Sequence, residues 1–198
     1  MGATASHRPV ATCQSLRVAN MKPVATKSQH LNFQEIAATA SISLKEYLPS
    51  SMSLTPGSEK SDGAWRSQWQ PISNRIPPNG GWDWPSCRLA GSKDPTQLCA
   101  AMWCLSESEL CGLLLMRLNN TACWIEAVEG SPKPNHSLRG LVLLIALEMA
   151  SMYAQSQGRR EVWLCSPAND MLLGYIVNDY CFELVSPKTG PAFCRKQV

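Results

Sequence analysis

Residues Glu109–Gly158 read ELCGLLLMRLNNTACWIEAVEGSPKPNHSLRGLVLLIALEMASMYAQSQG. Two apolar runs of strand length, Leu110–Leu118 and Ala122–Val128, are separated by Asn119-Asn120, and this predicts an antiparallel pair joined by a short turn. The loop from Glu129 to Gly140 follows, and then an apolar helix from Leu141 to about Gln157, closed by Gly158. A strand ending in an acid, a basic glycine-containing turn and a helix start outline an anion site. The orphan N–H groups and the positive end of the helix dipole favour a phosphate or pyrophosphate. Arg139 and the N–H groups around Gly140, Leu141, Val142 and Leu143 are the candidate ligands, with Lys133 adding charge from further away.

Working outward, Leu98–Leu105 reads as a strand ending in a turn at Ser106–Ser108, which extends the pair into a three-stranded meander. Its nearly continuous apolar runs suit a sheet covered on both faces. Beyond the helix, Glu161–Ser166 reads as a strand and Ala168–Val177 as a helix with Asn169 or Asp170 near its start. Tyr180–Val185 and Ala192–Arg195 read as the last strands. Upstream, Leu31–Leu48 has an amphipathic helical period, with Asn32 as cap, Glu35 three residues on and Pro49 as terminator. A short helix is expected over Trp65–Ser73, and Pro49–Gly63 reads as a Ser/Pro/Gly linker. The order of elements predicts a mixed α/β (α+β) fold with one central sheet over residues 63–198. A poorly ordered leader, 1–62, carries the amphipathic helix near 31–48.

Composition excludes several classes. A net charge of +3 is too weak an electrostatic footprint for nucleic acid. None of the nine cysteines forms a C-x-x-C pair, and no histidine stands near a cysteine pair at ligand spacing, so no metal is expected. An odd number of cysteines, most of them in apolar strands, reads as buried thiols in a reducing, cytoplasmic compartment. The longest apolar run, Leu141–Leu147, falls short of the roughly 18 residues that span a bilayer, so no membrane partner is expected. Residues 1–34 carry Arg8, Arg17, Lys22 and Lys27 without an acid, a composition shared by transit peptides and by unstructured leaders.

Three groups of residues are candidates for chemistry. Simple alternation places Trp124, Glu126 and Val128 on one face of their strand and Ile125, Ala127 and Glu129 on the other. A half-buried carboxylate at Glu129, where the strand meets the loop, is the candidate general base, with Glu126 its competitor. Tyr175, late in the second helix, is a candidate proton donor. Trp65, Trp69, Trp82 and Trp84 either wall a ligand cleft or anchor a loop-rich region to the core. There is no G-x-S-x-G elbow and no Walker A sequence, and nothing marks His136 as the partner of a catalytic cysteine.

From Leu98 to Val185, and in part from Gly80, the chain resembles the GNAT acetyltransferase superfamily. Trp82-Asp83-Trp84, Ala100-Ala101-Met102-Trp103, Leu110-Cys111-Gly112-Leu113 and Glu129-Gly130-Ser131-Pro132 look like the opening of bacterial members. Asn135-His136-Ser137-Leu138-Arg139-Gly140 looks like their pyrophosphate loop, and Glu161–Ser166, Asn169 and Tyr175 like the strand, helix and tyrosine that follow. The chain departs from the family loop pattern, R/Q-x-x-G-x-G/A, at Ser137 and Val142, and from the usual Tyr then Gly-Phe at Tyr175–Phe182.

The resemblance implies a splayed mixed sheet with helices on both faces and acyl-coenzyme A between its fourth and fifth strands. It implies an N-acyltransferase that takes acetyl-CoA as cosubstrate and passes the acetyl group to a small-molecule or peptide amine. In that reading Arg139, Gly140, Leu141, Val142 and Asn169 hold the coenzyme and the Val128 backbone polarises the carbonyl. Glu129 is then the base and Tyr175 the acid, while Trp82, Trp84 and Glu126 shape the acceptor pocket. The alternative is a catalytically degenerate GNAT-like binding or regulatory module.

Overall fold

The computed structural model describes residues 27–72, 75, 80–106, 108–165 and 170–198, with the side chains of 27–32, 170–172 and 175 left aside. Its elements are α1 (Lys27–Ser43), β1 (Met52–Pro56), α2 (Glu59–Gln68), α3 (Trp84–Gly91), β2 (Gln97–Cys104), β3 (Glu109–Leu118), β4 (Ala122–Gly130), α4 (Val142–Ser156), β5 (Glu161–Cys165), α5 (Asp170–Asp179), β6 (Glu183–Val185) and β7 (Phe193–Gln197). The seven strands form one sheet in the order β1-β2-β3-β4-β5-β7-β6. The β4–β5 pair is parallel and every other pair antiparallel.

The predicted meander is β2–β3–β4. Its β3–β4 turn is built by Asn119, whose side-chain oxygen accepts the N–H groups of Thr121 and Ala122 at 2.8 and 2.7 Å. Leu110 and Leu113–Met116 on β3 are all buried because helices cover both faces of the sheet. One face packs on α4 and α1 through Leu114, Met116, Ile125, Ile145, Met149 and Phe33, with Ile176 of α5 in the same cluster. The other face packs on α2 and α3 through Trp65, Trp69, Trp84, Leu113 and Leu115.

The start of the chain differs from the sequence reading. The first helix covers Lys27–Ser43 rather than 31–48, so Asn32 falls inside it and not at its start. Its apolar face is as expected down to Leu44, while Tyr47 is exposed. The stretch read as a linker, Pro49–Gly63, instead carries β1 and the start of α2. Met52 and Leu54 alternate with Ser53 and Thr55, and the strand covers the edge that β2 would otherwise expose. The expected helix near Trp65 begins earlier, at Glu59, where the Ser61 hydroxyl accepts the Ser58 N–H at 2.8 Å. Helix α3 was not predicted. Asp83 accepts from the Ser86 N–H and hydroxyl, and Pro85 occupies the first turn, two helix-start signals set among tryptophans and glycines.

Candidate active site

The parallel pairing of β4 with β5 runs from Ala122↔Glu161 to Ile125↔Leu164 and then stops. β4 continues to Gly130, still paired with β3, and among the described residues it has no partner on its β5 side there. Glu126 is an extra residue at this point: Ile125 lies opposite Met116 and Ala127 opposite Leu115, so β4 bulges and bends where the two strands part. Among the described residues, a gap is therefore left beside β4 beyond Ile125 and Leu164.

The β4–α4 loop leads from the rim of this gap into α4. It is closed by internal bonds: Arg139 N–H to the His136 carbonyl and Leu141 N–H to the Leu138 carbonyl, both at 3.0 Å, and the Arg139 guanidinium to the Pro134 carbonyl. Gly140 takes φ +80° and turns the chain into the helix. The N–H groups of Val142, Leu143 and Leu144 then begin α4 with no side-chain cap and no acid in the first turn. The positive end of a 15-residue helix is left uncompensated at the C-terminal end of β4. Val142 turns its methyls onto the sheet, 3.0 and 3.5 Å from where Cβ atoms on Gly112 and Gly130 would stand. Those two glycines face each other across β3 and β4 and make room for the side chain. Val142 is thus a core residue whose N–H still belongs to the helix start.

On the opposite face of β4, Glu129 is 3% exposed. Arg75 grips it through Nε–Oε1 at 2.7 Å and Nη2–Oε2 at 3.1 Å. The Trp84 indole N–H donates to Oε2 at 2.6 Å, and the Gly81 N–H approaches Oε1 at 3.4 Å. Arg75 also donates to the Trp82 carbonyl and stacks its guanidinium 4.9 Å from the Trp65 ring centre. A Cβ on Gly80 would lie 2.4 Å from Oε1, so the Gly80-Gly81 turn rests directly on the carboxylate.

No protein-family model and no curated protein sequence matches the chain. Solved structures do. An acetyltransferase from Thermus thermophilus superposes with a TM-score of 0.56 at 13% identity, over 75% of this chain and 97% of its own. A GNAT-family acetyltransferase from Staphylococcus aureus gives 0.53 at 12%, over 74% and 98%. The ribosomal-protein-S18-alanine N-acetyltransferase of Escherichia coli gives 0.53 at 10%, over 74% and 94%. The fold is the GNAT fold. At these identities the likeness is one of architecture.

Val128 lies on β4 beyond its last described β5 pair, and Gly140, Leu141 and Val142 lie at the start of α4. Arg139 is at the loop but its guanidinium donates to the Pro134 carbonyl within that loop. Lys133 pairs with Glu109 at 3.3 Å rather than standing free for an anion. Asn169 lies outside the described residues, and Tyr175 lies on α5, after β5. Glu129 is at the end of β4 but is no open base: its oxygens are engaged by a guanidinium, an indole and a backbone N–H. Trp84, 1% exposed, is core rather than pocket wall, because its N–H is spent on that carboxylate. Trp82 is half-buried beside it, ring centres 6.1 Å apart.

Glu126, at the bulge, is held by Arg117 at 2.7 Å and Gln97 at 2.7 Å, with its side chain 18% exposed. The bulge also corrects the expected faces. Trp124 shares a face with Ala127 and Glu129, because the extra residue shifts the alternation by one. His136 is buried near Gly130, and its pKa lies below the ordinary histidine value because burial disfavours the cation, against an opposing pull from Glu109. Sequence reasoning missed Arg75, which lies 54 residues from its partner and carries no local signal. Among the described residues no cluster of His, Cys, Asp or Glu is arranged to hold a metal, and no helix is long and apolar enough to cross a membrane.

Proposed function

We propose that the chain is an acyl-coenzyme A-dependent N-acyltransferase, with acetyl-CoA as donor and an amine as acceptor. The observation that carries this is the end of the β4–β5 pairing among the described residues at Ile125 and Leu164, with an uncapped helix start beyond it. The N–H groups of Val142, Leu143 and Leu144 receive the pyrophosphate. The unpaired β4 edge at Ala127–Val128 offers backbone N–H to the thioester carbonyl. The amine nitrogen attacks that carbon; the C–N bond forms, the C–S bond breaks, and the nitrogen loses a proton while the thiolate gains one. Tyr175 is assigned the proton to the thiolate. Glu126, the partly exposed carboxylate at the bulge, is assigned the amine side, and Glu129 the anchoring of the Trp82–Trp84 segment.

The closed state of Glu129 favours a second reading, a GNAT-like module that binds coenzyme without turnover. Calorimetry with acetyl-CoA, followed by thiol release in the presence of amines, separates the two. Absence of binding at millimolar acetyl-CoA refutes both. Binding without thiol release across aliphatic, aromatic and peptide amines leaves the module.

A further inference from the structure

One register row crosses six strands of the sheet: Gln97↔Arg117↔Trp124↔Trp163↔Arg195↔Glu183. Residues opposite each other in a sheet point to the same side, so all six stand on the face that carries Glu129. Toward β1, and over Ala127–Glu129 of β4, that face is covered by α2, α3 and the residues next to them, whereas on the Trp124 end of β4 and on β5 and β7 none of the described helices packs substantially against it. The centre of the row is aromatic. Trp124 and Trp163 lie with ring centres 4.6 Å apart, and Phe193, from the neighbouring row, stacks on Trp163 at 4.5 Å and 23°. All three rings are half-buried, exposing part of a continuous shelf.

The shelf adjoins the gap. Trp124 lies two residues before the bulge at Glu126, about 7 Å along the strand. Its charged neighbours are already matched: Arg117 with Glu126 and Asp94, Arg195 with Glu183, and Glu161 with the Trp163 indole N–H and Gln197. No unpaired charge among them is left to recognise a polyamine or a charged peptide. What remains is flat ring surface, which binds planar apolar groups and attracts an ammonium over its face. The geometry points to an acceptor that is a small primary amine carried two or so carbons from an aromatic ring, with the ring on Trp124 and Trp163 and the nitrogen at the gap. This assignment rests on the acyltransferase reading and names its substrate class.

The test compares phenethylamine and tryptamine with spermidine and with an alanine-terminated peptide, using the full chain and acetyl-CoA. The aryl amines are expected to show at least tenfold higher kcat/KM. Trp163→Ala raises their KM at least tenfold with the acetyl-CoA Kd within twofold of wild type, and Trp163→Phe, which keeps a ring, restores most of it. A preference for spermidine or the peptide, or an unchanged aryl-amine KM in Trp163→Ala, overturns the assignment while leaving the acyltransferase reading intact. A second measurement needs no coenzyme and no turnover. Phenethylamine titrated into the ¹⁵N-labelled protein shifts the indole resonance of Trp163, identified with Trp163→Phe. If that resonance stays fixed at millimolar amine the shelf is not an acceptor site, whether or not acetyl-CoA binds.

Discussion

The pairing of Arg75 with Glu129 makes the sharpest prediction. The two side chains are 8% and 2% exposed. In Arg75→Ala the Glu129 carboxylate keeps, among the described residues, the Trp84 and Gly81 N–H groups, and its charge stays buried with no described counter-ion. Removing one partner from a buried pair costs about 3–5 kcal/mol. That is a large part of the roughly 5–15 kcal/mol by which a domain is stable. With a urea slope of about 2 kcal/mol/M, the unfolding midpoint falls by about 1.5–2.5 M. The double variant Arg75→Met with Glu129→Leu removes both charges and recovers most of the loss, giving a large coupling in a double-mutant cycle. Gly80→Ala acts in the same direction: its Cβ meets Oε1 at 2.4 Å and Cδ at 2.9 Å, and the grip of Arg75 and Trp84 resists a shift of that carboxylate. A midpoint shift below about 0.5 M in Arg75→Ala, at the same slope, refutes the reasoning. It means the carboxylate is reached by water and is available as the base that its place in the sequence first indicated.

Other outcomes follow from the core and from the ionisable groups. Gly112→Ala places a Cβ 2.7 Å from the Met102 sulfur and 3.0 Å from a Val142 methyl, so overpacking destabilises by about 1–3 kcal/mol in urea melts. Its displacement of Val142 also weakens acetyl-CoA binding in calorimetry. Because His136 titrates below its unfolded value, the native state binds fewer protons than the unfolded chain over the interval between the two pKa values. This contribution to stability is complete above about pH 6.5 and is lost as pH falls from there through the native pKa. His136→Gln flattens that limb of a stability–pH profile, and an unchanged limb excludes His136 as its source. Among the described cysteines, exposed Cys181 labels first with maleimide at pH 8. Cys99 and Cys111, pushed up to about 12 chiefly by burial, and Cys123, pushed up further, label only on unfolding.

The elements from β2 to α5 were legible because each is a local pattern: apolar runs of strand length, an asparagine turn, a long apolar helix between glycines. Helix α3 and strand β1 were less so. The signals of α3, Asp83 and Pro85, are two residues in a stretch dominated by tryptophan and glycine, and β1 is five residues long and exists by pairing with β2. Glu129 was correctly placed at the strand end, yet its state was not legible. A carboxylate's availability depends on what surrounds it, and Arg75, Gly81 and Trp84 arrive from a distant segment. Val142 illustrates the opposite case. Valine in a phosphate loop reads as an obstruction, and the structure turns its methyls onto two sheet glycines instead.

The sequence by itself determined the order of elements from β2 onward, the apolar face of α1 and the helix start after Gly140, since these depend on spacing and on single-residue backbone preferences. Only the tertiary structure decided which residues meet. The one-residue bulge at Glu126 moved Trp124 to the face of Glu129 and brought it into line with Trp163 and Phe193, because an inserted residue inverts every side chain beyond it. Likewise Arg75 became the partner of Glu129 through a fold-long contact, where burial makes an unpaired charge too costly to leave standing.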